Sequence, residues 1–269
     1  MATDIDMRVL ELVCSRLCHD LVGPVGAVNN GIELLEDFDP SMADDVLPLL
    51  QNSARQAWRR LDFFRLAFGA AGGRETWAMG ELGRYAAGWF EGGKVTLDWP
   101  NDPRSQALEL EATRAKLLLH LTLIAGEALP RGGTVAIVAD GGPVPTVTAD
   151  GRGAALHPQV DAALCGVAIE ELDARSVQAH VTVMMAGRAG VDIIVEPGAD
   201  KLSLPNWSGS SGTRTIRIFW GRSSGSYTRS RGPAASSTCR DWSASATPPR
   251  TCSASIVTGS CPSRPTRSR

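Results

Sequence analysis

A histidine followed directly by an aspartate, His19-Asp20, lies in the run Cys18-His19-Asp20-Leu21-Val22-Gly23-Pro24. Near physiological pH a neutral imidazole nitrogen is a competent nucleophile, and the P–N bond it forms hands its phosphoryl group on readily. The chemistry these residues support is therefore phosphoryl transfer. Asp20 is placed to hold the ring's tautomer or relay a proton, although neighbouring helical positions diverge by about 100°. At that step His19 shares its face with Leu12, Ser15, Arg16, Val22, Gly23, Gly26 and Asn30. Gly23 and Gly26 leave the face open to close approach by another protein. Arg16 is a candidate to steer a phosphate, and Asn30 offers a polar docking contact. Pro24 cannot donate to the carbonyl of Asp20 and its ring presses on it, so a bend or loosened turn is expected beside His19. The competing assignment is a surface histidine on an ordinary amphipathic helix.

The elements that carry this face read as two long helices. Val9, Val13, Leu17, Leu21, Val25, Val28 and Ile32 recur at 3–4 spacing, which predicts a first helix from about Asp4 to Asp37. Phe38-Asp39-Pro40 ends it, and Ser41 with Asp44 three residues on starts a second helix to Phe68. Its apolar side carries Val46, Leu50, Ala54, Ala57, Leu61, Phe64 and Phe68. Such a hairpin cannot cover its own stripes. Pairing two hairpins into a four-helix bundle solves this and predicts a homodimer; cover by a second domain is the monomeric alternative. After the Gly/Ala linker Gly69–Arg74 the pattern turns to mixed α/β. Strands are expected at 95–99, 134–138, 146–149 and 191–195, with helices at 112–129 and 177–186. The expected divisions are 1–74, 75–204 and 205–269.

The net charge of −2 conceals two halves of opposite sign. Residues 205–269 hold ten arginines and a single acid, Asp241, leaving +9 there and −11 on the first 204 residues. Serine, threonine, proline and glycine fill that tail, which predicts disorder. No apolar run reaches the ~18 residues of a membrane span, and the start Met1-Ala2-Thr3-Asp4 is no signal peptide. Six cysteines without framework spacing fit a reducing cytoplasm. Cys14 and Cys18, one turn apart beside His19, lack the further ligands of a metal site and are expected at the edge of the apolar stripe.

His-Asp-Leu-x-x-Pro resembles the H-box of histidine-kinase dimerisation domains. The longer run from Leu17 to Leu35, together with Phe63-Phe64-Arg65-Leu66-Ala67-Phe68-Gly69-Ala70-Ala71-Gly72 and Leu172-Asp173-Ala174-Arg175-Ser176-Val177-Gln178, resembles ChpT-type histidine phosphotransferases over about the first 200 residues. The order of elements and the turn Glu127-Ala128-Leu129-Pro130-Arg131-Gly132-Gly133 resemble the ATP-binding domain of histidine kinases. The departures decide between the two. Where a kinase places asparagines for magnesium and phosphates, this chain has about His120 and Ile124, and an isoleucine cannot ligate magnesium. Asp150-Gly151-Arg152-Gly153 is a faint echo of the ATP lid. The resemblance thus implies an α+β protein: a dimerising helical hairpin followed by a degenerate ATPase-like sandwich, with no cofactor of its own.

It further implies a phosphorelay in two-component signalling. His19, assisted by Asp20, takes a phosphoryl group from a receiver-domain aspartate of a hybrid histidine kinase and passes it to a response regulator. Arg16, Gly23, Gly26 and Asn30 dock the receiver, which supplies magnesium. An ATP-dependent histidine kinase and a non-catalytic receiver-binding scaffold are the alternatives. The tail has its own reading. From about Pro205, codons displaced by two nucleotides can spell text with an HTxKG motif that resembles a chemotaxis-kinase phosphotransfer domain, as expected of a frameshifted or mis-joined frame. A basic arm for nucleic acid competes with it, but the arginines are scattered rather than clustered.

Overall fold

Apolar spacing builds the first two elements much as expected. The structure, a computed structural model, describes residues 6–37, 43–69, 74–139, 145–197 and 213–222. Helix α1 (Met7–Asp37) runs for 31 residues straight through Pro24, so the turn beside His19 stays helical. Helix α2 (Ala43–Ala67) packs along it, with Gly31 against Leu50 and Asp20 against Arg60. The expected connection at 38–40 lies outside the described residues, as does most of the linker. Leu12, Val13, Leu17 and Leu21 pack on the core, whereas Val25 and Ile32 are exposed. The stripe of α1 therefore changes surroundings near Pro24: its first half is covered within the chain and its second half is open.

The rest forms the α/β part. In order it comprises β1 (Thr76–Ala78), α3 (Met79–Phe90), β2 (Val95–Asp98), the single turn α4 (Pro103–Gln106), β3 (Glu109–Glu111) and α5 (Ala112–Glu127). Then follow β4 (Gly133–Val138), β5 (Thr146–Arg152), α6 (Pro158–Leu164), a 3-10 turn at Ile169–Glu171, α7 (Val177–Ala189), β6 (Val191–Pro197) and β7 (Thr213–Arg222). β1 and β3 make a small antiparallel ribbon. The main sheet has the order β2-β4-β5-β7-β6, parallel only between β2 and β4. Between α5 and β4, Gly132 and Gly133 adopt φ of +81° and +147°, and a Cβ on either would strike the carbonyls of Lys94 or Asp150.

Two expectations need correction. The strand expected at 146–149 continues to Arg152, so Asp150-Gly151-Arg152 is sheet rather than lid. The tail was expected to leave the fold after 204, yet residues 213–222 form a strand hydrogen-bonded to both β5 and β6. Within this strand Ile218 is fully buried. Residues 223–269, with most of the Arg/Ser-rich tail and its frame-shift reading, lie outside the described residues.

Helix α5 is the axis of this part. Leu117, Leu118, Leu119, His120, Leu121, Thr122 and Ile124 are buried on every side of it, as befits a helix enclosed by other elements. It also terminates α2. The carbonyls left over at the end of α2 are taken by α5, His120 Nε2 meeting Ala67 O at 3.1 Å and Lys116 Nζ meeting Gly69 O. Gln178 Nε2 of α7 lies 3.1 Å from His120 Nδ1, and Phe68 stacks edge-on against the ring at 4.6 Å. One neutral ring thus ties α2, α5 and α7 together: Nε2–H donates to Ala67 and Nδ1 accepts from Gln178.

Burial pushes His120 down from 6.5 to about 4, against the pull of its bond to Ala67. The unfolded chain then takes up a proton that the folded chain refuses, so this contribution is complete above pH 6.5 and is lost as pH falls toward 4. The loss amounts to about 3 kcal/mol at most. Urea unfolding at pH 7 and pH 4.5 should show a smaller pH penalty in His120→Gln; equal penalties in both proteins would contradict the assignment. A second expectation concerns space. A Cβ on Gly31 would sit 2.6 Å from Leu50 Cδ2, while one on Gly23 or Gly26 meets nothing within 4 Å. Gly31→Ala should cost about 1 kcal/mol and Gly23→Ala should gain about 0.5–1 kcal/mol, read from unfolding midpoints.

Candidate functional site

The site begins with a backbone defect. Pro24 denies the carbonyl of Asp20 its intrahelical partner, and Arg60 Nη1, reaching across from α2, donates to that carbonyl instead. The Arg60 guanidinium lies 5.4 Å over the ring of Trp89, which packs on Phe63 and Phe64. Helices α1, α2 and α3 thus meet around one carbonyl oxygen, one residue from His19.

The side chain of Asp20 is held from the other direction. Arg16 Nε donates to Asp20 Oδ2 at 2.9 Å, and Arg16 Nη2 donates to Glu127 Oε1 at the end of α5. Asp20 Oδ1 faces His19 Nδ1 at 3.2 Å. Burial alone would depress the Arg16 guanidinium, but Glu127 and Asp20 override it and leave its pKa above the ordinary value. Burial likewise raises Glu127, with Arg16 pulling the other way. The Asp20 and Arg16 side chains are each 14% exposed, and the His19 ring is 81% exposed. A well-ordered carboxylate therefore sits under an open imidazole.

His19, Asp20 and Arg16 form one wall of a cleft of about 1000 Å³. The second domain supplies the opposite wall, with Ile124, Glu127, Pro130, His157 and Arg175. One more residue of α1, Arg8, seats the helix on that domain. Arg8 donates to the carbonyls of Ile169, Glu170 and Leu172 at 3.2, 3.2 and 3.0 Å. The run 172–178 explains itself here: the Asp173 carboxylate accepts from the N–H and hydroxyl of Ser176 and opens α7, while Gln178 reaches His120.

Residues 79–201 match the histidine phosphotransferase C-terminal domain family. The protein phosphotransferase ChpT of Brucella abortus (strain 2308) is 37% identical over 210 residues, which span 75% of this chain and 98% of that relative. The chain belongs to the ChpT-type histidine phosphotransferase family. A solved structure of a bacterial phosphotransferase superposes with a TM-score of 0.64 at 33% identity, covering 81% of this chain and 98% of that one. Membership makes this a phosphotransferase of phosphorelay signalling.

Among the candidates from sequence, His19, Asp20 and Arg16 come together, though Arg16 is engaged with two carboxylates rather than turned to solvent. Gly23 and Asn30 are exposed on the same helix, and the space around Gly23 and Gly26 is open. Cys14 and Cys18 are free and exposed, contrary to their expected place at the stripe's edge, and the described residues contain no cluster of three metal-ligating acids, histidines or cysteines. No helix among the described residues is long and apolar enough to cross a membrane. Two partners were not foreseen from sequence: Arg60 and Glu127. The missing N–H of Pro24 was the signal for the first, since an orphaned carbonyl needs a donor; nothing local signalled the second.

Arg60 and Pro24 should be coupled. Arg60→Met should cost about 1–2 kcal/mol in an otherwise unchanged chain, because the carbonyl of Asp20 loses a charged donor. In a Pro24→Ala background the restored N–H takes over, and the same substitution should cost markedly less in urea unfolding. Equal costs in the two backgrounds would refute the role given to Arg60.

Proposed function

We propose that the chain relays phosphoryl groups between receiver-domain aspartates of two-component proteins, with His19 as the residue that carries the group. The observation that bears most weight is the exposed His19 ring with Asp20 at Nδ1. A proton on Nδ1, donated to Asp20, leaves the lone pair on Nε2. Nε2 attacks the phosphorus of the aspartyl phosphate in line; the P–N bond forms as the P–O bond to the aspartate breaks, and the receiver carboxylate leaves. The resulting imidazolium keeps its Nδ1 proton beside Asp20, which stabilises the charge. Attack by the aspartate of a second receiver reverses the step and restores the neutral ring.

In this reading the donor is the receiver domain of a hybrid histidine kinase and the acceptor is a response regulator. The receiver docks on the face carrying Gly23, Gly26 and Asn30 and brings the magnesium ion, so the chain contributes position and a nucleophile. ATP use is disfavoured by the cleft's own chemistry: Ile124 offers no ligand to magnesium, and Glu127 adds a carboxylate to the lining rather than a phosphate-binding group. The helices α1 and α2 act as an antiparallel hairpin that pairs with a second copy in a four-helix bundle. Exposed Val25, Ile32, Leu34, Leu49, Trp58 and Leu61 supply the apolar surface such a bundle buries.

The test uses the full chain, a radiolabelled phospho-receiver and magnesium, without ATP. Acid-labile, alkali-stable label should appear on the wild type and vanish in His19→Ala. Receiver binding without label on the wild type would favour a scaffold, and label acquired from ATP alone would favour a kinase. Gly26→Leu, which the open helix face accommodates, should weaken receiver binding by about tenfold while the chain stays folded.

A further inference from the structure

Glu127 ends α5, lies 111 residues from Arg16, and touches neither His19 nor any atom that reacts in the proposed transfer. Among the described residues, its partner Arg16 is the one arginine or lysine paired with the Asp20 side chain. On an isolated helix an Arg/Asp pair four residues apart is too weak to keep one rotamer. Here the guanidinium is bridged to a second carboxylate on another domain and is largely withdrawn from water, which turns a loose pair into a fixed network. Arg8, eight residues earlier, ties the same helix to the same domain at a contact separate from Asp20.

We infer that Glu127 is a positioning residue for the nucleophile: through Arg16 it fixes the Asp20 carboxylate against His19 Nδ1, so that the second domain sets the tautomer and orientation of a ring on the first. The inference rests on the reading of His19 as the phosphoryl carrier. It also gives the second domain a task other than nucleotide binding. Sharing Arg16 between two carboxylates has a further effect. Arg16 Nε alone meets the Asp20 carboxylate, on Oδ2, and leaves Oδ1 to the His19 ring.

The variants are Glu127→Gln, Arg16→Met, their combination, and Arg8→Met as a control that loosens the domain contact without touching Asp20. Nitrogen-15 NMR of the His19 ring in the unphosphorylated full chain should show one tautomer, protonated on Nδ1, in the wild type and Arg8→Met. Glu127→Gln should give mixed tautomers, with phosphoryl transfer slowed about tenfold at unchanged receiver affinity. The double variant should be no slower than the slower single one, because both act through Asp20. An unchanged ring and rate in Glu127→Gln would overturn the inference, as would the same tautomer mixing in Arg8→Met. The ring measurement needs no phosphotransfer. Absence of label on His19 would therefore overturn the proposed function alone, leaving the positioning role to be decided by the tautomer.

Discussion

Asp20 is gripped at both ends, and the rest of the site depends on that. Its carbonyl, orphaned by Pro24, is held by Arg60; its carboxylate is held by Arg16, which Glu127 anchors in turn. The two arginines come from different helices, and their own supports lie on two further helices, α3 and α5. An unpaired buried carbonyl costs about 1–3 kcal/mol, so the proline is tolerable only while Arg60 is present. The outcome is a rigid acid next to a histidine that is itself free. Only an unencumbered ring can be reached by a partner, and only a fixed neighbour can define which nitrogen attacks.

The long first helix divides its labour at the same place. Before Pro24 its apolar stripe belongs to the core shared with the second domain; beyond it, Val25 and Ile32 face out. His19 lies just on the core side of that change, where α1 is held by Arg8 and Arg16 and the cleft opens. Its position is therefore as well fixed as the domain contact, while the glycine face a few residues on stays clear. Gly31 shows what a packing glycine looks like in this helix: a Cβ there would strike Leu50, and none would strike anything at Gly23 or Gly26.

What was legible in the sequence follows from the range over which each cause acts. Helical periodicity is local, so α1, α2, α5 and α7 were readable to within a few residues. The short α4 and α6 were missed, and so was α3: Gly80, Gly83 and Gly88 lower its helix propensity, yet Gly80 and Gly83 pack where Gln106 and Trp99 leave no room for a Cβ. β7 was hidden by composition, because an Arg/Ser-rich stretch reads as unfolded although residues 213–222 pair on both sides. The chemical residues His19 and Asp20 declared themselves through adjacency and Pro24. Glu127 did not, since its meaning depends on a contact across more than a hundred residues, which no spacing rule encodes. Substitution of Ile124 where a magnesium ligand would stand was visible at once, for a missing functional group is as local as a present one.

With Asp20 at Nδ1 of His19, the proposed transfer puts the phosphoryl group on Nε2. Phosphorus NMR of the full chain, labelled by a phospho-receiver and held at alkaline pH, reads the isomer directly, and peptide mapping assigns the residue. Nε2-phosphohistidine at position 19 and nowhere else is the expected result. Phosphate on Nδ1 of His19, or on any other side chain, would contradict it.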